Sequence, residues 1–447
     1  APPAPEYLEE YKAFVRQLVE RYDGDGTLDA PFVNKRNKVS NWGVETEPGK
    51  NPDQGSGFWN GTAGDYAGLY LVAYDEIKQA YPEARVFLSA FTTQSMMYFI
   101  NNGISFPSEV LRILHESGGD FDVFNLHFYW EYTSYDQIHD AASAHLGLFS
   151  EFSSKPIWLT ETNVEWGQLD SNYTEEQYNA FVAKDIVKRF AIMFDRGLKK
   201  IFWFQFRDKI GTWQVPMAPE DFTRFAGLTT PDLTPKPVYY TYKLLTEKLN
   251  GRTPAERLGS DPTGWVFKFG NDYDPVYVMW SDTSPGETTP FTLSVPWDEA
   301  IISHVVTEPG ITEPYVETRS VVDGSLQIDL DDSPMFVENA TPTQPSGPVI
   351  DRIRPRWCDR GKIIRILGSG FGNDQGNSVI HFAKSTLDST SPKIKYWSDT
   401  KIRVRIPKYR CNWFKGKDFR RAKVWLTVGG VDSNERRLKV FKSSTCP

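Results

Sequence analysis

Two glutamates stand at the ends of strand-like runs, in Asn41-Trp42-Gly43-Val44-Glu45-Thr46-Glu47-Pro48 and in Pro156-Ile157-Trp158-Leu159-Thr160-Glu161-Thr162-Asn163. A carboxylate at the carboxyl end of a parallel strand faces the mouth where (β/α)8 barrels assemble their active sites from several strands. Two such carboxylates imply cleavage of a glycosidic bond: one protonates the leaving oxygen while the other attacks the anomeric carbon. A lone strand-terminal glutamate is more often a solvated or salt-bridged surface group. A pair accompanied by His127 and Tyr129 on an intervening strand calls for chemistry.

Glu47 and Glu161 lie 114 residues apart. Between them are two further strand-like runs, 84–91 and 121–130, separated by helix-like segments. Residues 62–81 carry an apolar stripe at Tyr66, Leu69, Val72, Ala73 and Ile77 before Pro82 stops the helix. Strands alternating with such helices read as βα units around a parallel sheet, with the two glutamates closing the fourth and seventh strands and residues 200–208 forming the eighth. Alternation sends Asn125, His127 and Tyr129 to one face. By the same rule Glu45 shares a face with Glu47 and competes for its role; Pro48 favours Glu47. Upstream the sequence offers one helix over 5–22, with Tyr7, Tyr11, Phe14, Leu18 and Tyr22 on one side, and a Gly/Asp turn at 23–26. Strands one to three are absent, and a barrel does not close on five. The expectation is therefore a C-terminal portion of a longer polypeptide, completed by a missing N-terminal segment of the same polypeptide.

These segments resemble the clan A glycoside hydrolases, family 39 in particular. In that clan a Trp-x-x-x-Asn-Glu-Pro segment ends strand four with the acid/base, and a Glu ends strand seven as nucleophile. The resemblance implies Glu47 as acid/base, Glu161 as nucleophile, Tyr129 hydrogen-bonded to the nucleophile and His127 lining the pocket. It also implies an aromatic platform at the end of strand eight, where the register leaves Trp203 and Phe204 open and Trp203 is ranked first. Thr46 replaces the Asn expected before the acid/base, so a contact to the substrate 2-hydroxyl is shortened or lost at this substrate-binding position. Gly227-Leu228 and the stretch 235–240 resemble the entry to the final helix. The likeness covers residues 1–340: a barrel-type catalytic domain over 1–250 and an accessory β-sandwich over 251–340, whose runs 265–269, 276–280, 291–295 and 326–330 alternate or are apolar between Gly, Pro and Asp clusters.

The implied activity is that of a retaining glycosidase acting by double displacement on a polysaccharide or oligosaccharide, with no metal or organic cofactor. Burial and the neighbouring carboxylate are expected to keep Glu47 protonated for the first step. The rival reading is a non-catalytic carbohydrate-binding, adhesion or extracellular assembly protein on the same framework, motivated by Thr46 and the incomplete barrel. Trp59, Trp166 and Trp213 serve equally as sugar-stacking faces or as packing.

Residues 341–347 read as a linker. Beyond it, Pro348-Val349-Ile350-Asp351-Arg352-Ile353-Arg354-Pro355, Gly368-Ser369-Gly370-Phe371-Gly372 and Trp397-Ser398-Asp399-Thr400-Lys401-Ile402 resemble an immunoglobulin-like IPT/TIG domain over 348–447. The glycine-rich turn lacks a following Gly-Lys-Ser/Thr and is structural. The fold class expected for the whole chain is thus α/β plus all-β: the C-terminal part of a TIM barrel, a small antiparallel β-sandwich and an immunoglobulin-like β-sandwich.

Charge is unevenly divided. Residues 350–447 hold 23 Lys/Arg against 8 Asp/Glu, a formal charge of +15, and the remainder carries −23. A basic module beside an acidic one fits an anionic polymer or self-association with neighbouring copies. The acidic remainder opposes nucleic acid. All three cysteines, Cys358, Cys411 and Cys446, fall in the basic module; Cys358 is expected to pair with Cys411, which points to an extracellular or cell-surface setting. Their spacing fits no zinc motif. The apolar run of about 18 residues or more needed for a membrane-spanning helix is lacking.

Overall fold

The computed structural model describes residues 3–441 apart from 49–57, 93–105, 130–134, 153, 165–170, 210–222, 253–256, 259–263, 271–274, 285, 342–346, 360, 373, 384, 408–410 and 415–417. Residues 1–271 with 275–340 form one compact unit, and 341–447 with 272–274 the other.

In the first unit, short parallel strands follow one another in chain order. β1 (Asn41–Gly43) pairs with β2 (Arg85–Phe87), and Phe87 bridges to Val123. β3 (Phe91–Thr92) lies beside β4 (Phe124–Phe128), followed by β5 (Ile157–Thr162) and β6 (Lys200–Trp203). Helices Ala63–Ala80, Phe106–Glu116, Tyr135–Phe152 and Glu175–Asp195 connect them, and Pro237–Leu249 follows the last. Two of these helices start on reciprocal caps, Thr62 with Asp65 and Thr174 with Gln177, each satisfying two backbone N–H groups that a first turn leaves open. Because helices cover the sheet, β4 is buried along its whole length, its polar Asn125 and His127 included.

The N-terminal helix differs from expectation. Leu8–Glu20 packs through Val15 and Val19, and its Arg16 reaches Glu76 of the 63–80 helix at 2.6 Å. The expected apolar stripe lies a quarter-turn away, with Tyr7 and Phe14 each 60% exposed. The buried face is that of Val15 and Val19, with Tyr11 partly buried beside it.

Residues 264–339 form two antiparallel sheets, one in the order β11 (Val316–Ser320), β10 (Glu299–His304), β13 (Met335–Asn339), β8 (Val276–Ser281) and β7 (Gly264–Phe269), the other of β12 (Ser325–Leu330) with β9 (Thr289–Ser294). The strands β7 (Gly264–Phe269) and β8 (Val276–Ser281) bury both faces: Trp265, Phe267, Val278 and Trp280 join the core of the helices and parallel strands, while Val266, Tyr277 and Met279 join the sandwich core. Trp265 and Trp280 stack with ring centroids 5.4 Å apart, and both indole N–H groups donate to Asp282. A period of two thus serves two cores at once. Expectation missed β10 (Glu299–His304), β11 (Val316–Ser320) and β13 (Met335–Asn339).

The second unit is a pair of sheets, one in the order β14 (Val349–Arg354), β16 (Ile363–Ser369), β20 (Lys401–Arg405) and β19 (Ile394–Ser398), the other in the order β15 (Trp357–Asp359), β23 (Arg436–Phe441), β21 (Phe419–Val428), β17 (Val379–Phe382) and β18 (Ser385–Leu387). Its glycine-rich turn is structural: Gly370 and Gly372 adopt φ of 69° and 82°, and Phe371 between them is fully buried. Trp397 Nε1 donates to the Phe371 carbonyl at 2.9 Å. The expected Cys358–Cys411 pairing is corrected, since Cys358 is a buried free thiol that burial pushes up to about 11. Cys446 lies outside the described residues. Among the described residues no helix is long and apolar enough to cross a membrane.

Candidate active site

The site is built where β1, β4, β5 and β6 end. On β4 the alternation holds, and Asn125 and His127 share one face. On β5 the register slips: Leu126 lies opposite Leu159, but His127 lies opposite Glu161, so Thr160 is an extra residue. Without this bulge Thr160 would stand beside His127, and Glu161 would be one position further on; the bulge re-aims the carboxylate. Three contacts fix the distortion. Thr160 Oγ1 donates to Asn125 Oδ1 at 2.8 Å, Thr162 Oγ1 donates to the Phe128 carbonyl at 2.9 Å, and the Phe204 N–H donates to the Thr162 carbonyl at 2.9 Å.

Glu47 arrives differently from expectation. β1 stops at Gly43, and Glu45 and Glu47 have φ of 63° and 44°. Strand alternation therefore does not apply, and the two carboxylates do not compete for one position. Glu45 is exposed, and its charge, after burial, helps push the Tyr11 phenol up to about 12. Glu47 turns instead to His127, with Oε1 2.8 Å from Nδ1. The loop is anchored from the 63–80 helix. The buried Tyr66 hydroxyl donates to the Val44 carbonyl at 3.2 Å and accepts from the Ser89 N–H at 2.8 Å, tying the ends of two adjacent strand runs together. Gly43 permits this approach, because a Cβ there would stand 2.3 Å from the Phe87 ring.

His127 Nδ1 is also 3.4 Å from Glu161 Oε2, and Tyr129 donates its hydroxyl to the same oxygen at 3.0 Å. One ligand atom from each of Glu47, His127 and Glu161 falls within 4.8 Å of the others. Such a trio has the donors to hold a cation, and it is equally arranged for moving a proton. Desolvation raises the Glu161 carboxyl above its ordinary range and Glu47 adds to the rise, while His127, Tyr129 and Lys209 pull it back. A second acidic group, Asp23, Asp25 and Asp29, lies in the turn after the first helix, where its carboxylates accept backbone N–H groups of the same turn.

The aromatic positions also need correction. Trp203 is 8% exposed and donates Nε1–H to the Ala226 carbonyl at 2.7 Å, so its ring is a core element and no open platform. Phe204, the other option, stands edge-on to Tyr129 with centroids 6.3 Å apart, and the Lys209 ammonium lies 5.1 Å from its ring centre. Trp59 is core packing, 5.7 Å edge-on to Tyr66. Trp166 and Trp213 lie outside the described residues. Thr46 is exposed on the Glu47 loop. Lys209 and Tyr66 were not foreseen; neither has a sequence signature, because each acts across a distance set only by the fold.

Comparison with known proteins gives two family matches. Residues 59–218 match the glycosyl hydrolase catalytic core and residues 348–436 the IPT/TIG domain. The first segment includes His127, Tyr129 and Glu161 and begins after Glu47. A cyclomaltodextrin glucanotransferase of Bacillus sp. (strain 1-1) is 36% identical over 62 residues, which is 14% of this chain and 8% of that protein. Among solved structures, a family 39 glycoside hydrolase from Bacteroides cellulosilyticus WH2 is 18% identical with a TM-score of 0.49, covering 76% of this chain and 63% of that one. A glucosidase from Croceicoccus marinus is 15% identical with a TM-score of 0.50, covering 75% of each chain, a likeness of fold. The chain therefore spans less than two thirds of the length of the first two. It carries a glycosyl hydrolase catalytic core and an immunoglobulin-like IPT/TIG domain.

Proposed function

We propose that the chain is a retaining glycoside hydrolase of the family 39 type, built on the later strands of a (β/α)8 barrel and acting on an extracellular polysaccharide or oligosaccharide. The observation that carries this reading is the separation of the carboxylates. Nearest oxygens of Glu47 and Glu161 within 4.8 Å of each other, on either side of His127 Nδ1, accord with the close pair of retaining enzymes, whose carboxyl groups lie about 5–5.5 Å apart.

In the first step Glu161 attacks the anomeric carbon, the glycosidic C–O bond breaks, and Glu47 gives its proton to the leaving oxygen. In the second, Glu47 takes a proton from water, whose oxygen attacks the same carbon and releases Glu161. His127 Nδ1 lies between the two, 2.8 Å from Glu47 Oε1 and 3.4 Å from Glu161 Oε2, and orients both carboxylates. His127, Tyr129 and Lys209 favour the ionised Glu161 that attack requires, offsetting part of its desolvation. Phe204 is the aromatic wall of the site, and exposed Thr46 contacts the substrate from the Glu47 loop.

An activated 2-fluoroglycoside tests the assignment. It should add one sugar mass to the intact protein, mapped to Glu161, and Glu161→Gln should abolish turnover of aryl glycosides while the far-UV spectrum stays unchanged. Near wild-type turnover in that variant would remove Glu161 from the chemistry. Sugar binding with no turnover by the wild type would leave a carbohydrate-binding protein.

A further inference from the structure

The solvent face of the β14–β16–β20–β19 sheet carries a row of arginines. Arg354 of β14 (Val349–Arg354) lies directly opposite Arg365 of β16 (Ile363–Ser369), which lies opposite Arg403 of β20 (Lys401–Arg405). Tyr396 of β19 (Ile394–Ser398) continues the row beyond Arg403. Directly opposed residues on neighbouring antiparallel strands have Cα atoms about 4.5–5.5 Å apart, and like charges so placed destabilise the sheet. Arg352, Lys401 and Arg405 widen the row on the same face.

These four strands contain one carboxylate, Asp351, which neighbours Arg352 and Arg436. Among the described residues none of the three arginines of the row forms an ion pair, and all three are exposed. With Pro355 and Ile363 they line a cleft of about 430 Å³. Three guanidinium groups held side by side on rigid strands, at a cost in mutual repulsion, form a linear receptor for regularly spaced anions, because each fork accepts a carboxylate in bidentate fashion.

We infer that this face binds an acidic polysaccharide, one that presents carboxylates along a sugar chain. The preference for a sugar polymer rests on the glycosidase reading above. Charge density points the same way. Duplex DNA brings one charge per about 1.7 Å of axis against a protein whose remaining residues sum to −23, whereas a polymer with a carboxylate on each sugar or every second one brings fewer charges to the same length. The row also ends on a single aromatic ring, Tyr396, with no succession of rings on which bases could stack.

The test uses the full chain and fluorescently labelled polygalacturonate, followed by anisotropy at 50 and 200 mM NaCl. Binding should weaken with salt. In the variant R354Q/R365Q/R403Q it should fall at least tenfold with an unchanged melting temperature. R421Q/K423Q/K439Q, on the opposite sheet, should bind as the wild type does. The inference is overturned by full affinity in the first variant, by loss only in the second, by equal competition from neutral dextran, or by duplex DNA displacing the probe at lower concentration than unlabelled polygalacturonate. Because binding is read without turnover, its failure leaves the hydrolysis assay of Glu161→Gln standing.

Discussion

The Tyr129 hydroxyl and Glu161 Oε2 are 3.0 Å apart, a phenol on the end of one strand donating to a carboxylate on the next. A hydrogen bond to a charged group contributes about 1.5–3 kcal/mol. Tyr129→Phe should therefore lower kcat/KM about ten- to a hundredfold with little change in melting temperature. Steady-state rates on an aryl glycoside check this, and undiminished activity would show the bond to be idle.

Glu47→Ala should slow substrates with poor leaving groups most, because those need the proton, and azide should restore the second step by replacing water as nucleophile. Glu45→Ala should behave as the wild type, its carboxylate being exposed and displaced from His127. Azide rescue of the Glu45 variant, with none for Glu47, would exchange the two roles.

The raised Glu161 carboxyl gives a signed pH dependence. Its folded value lies above its unfolded one through desolvation first, so between the two values the folded state holds more protons. Stability then falls as pH rises through that window. Glu161→Gln removes this loss, so its stability relative to wild type should climb across the same window in urea titrations. The acidic limb of kcat/KM should lie above the ordinary carboxylate range, and Lys209→Met, which removes a charge favouring ionisation, should move it further up. A limb that stays put in the Lys209 variant would contradict the arrangement.

Below the site, the Arg189 and Asp185 side chains are both fully buried and paired at 3.0 Å, and Tyr135 donates to the same carboxylate. Arg189→Met leaves a buried charge without its partner and should cost about 3–5 kcal/mol. The double change to Met and Asn should cost less, a difference that chemical denaturation reads directly.

In the second unit a Cβ on Gly368 would stand 1.9 Å from the Val349 carbonyl oxygen, a backbone atom that cannot move aside. Gly368→Ala should unfold this module selectively. Calorimetry should lose its transition while hydrolysis of a small soluble substrate continues; a normal profile would mean the sheet had shifted to accept the methyl.

Residue type and order determined much of this. Glu47, His127, Tyr129 and Glu161 stood out because two carboxylates at strand ends were accompanied by a His and a Tyr on an intervening strand, and the alternation of apolar runs with helix-like segments set the order of β1 to β6. The two-faced burial of β7 and β8, the rotation of the first helix and the free thiol of Cys358 were decided by packing between distant segments. The site itself shows the division most clearly. Alternation correctly placed Asn125 and His127 on one face, but it misplaced Glu45, because left-handed backbone at Glu45 and Glu47 ends the strand early. It gave no sign of the bulge at Thr160, because a single extra residue leaves composition and periodicity nearly unchanged while turning a side chain through half a rotation. Trp203 and Phe204 were inseparable in sequence for the same reason. Which of two adjacent aromatic residues faces the carboxylates depends on the register against β5, and that register exists only once the strands have paired.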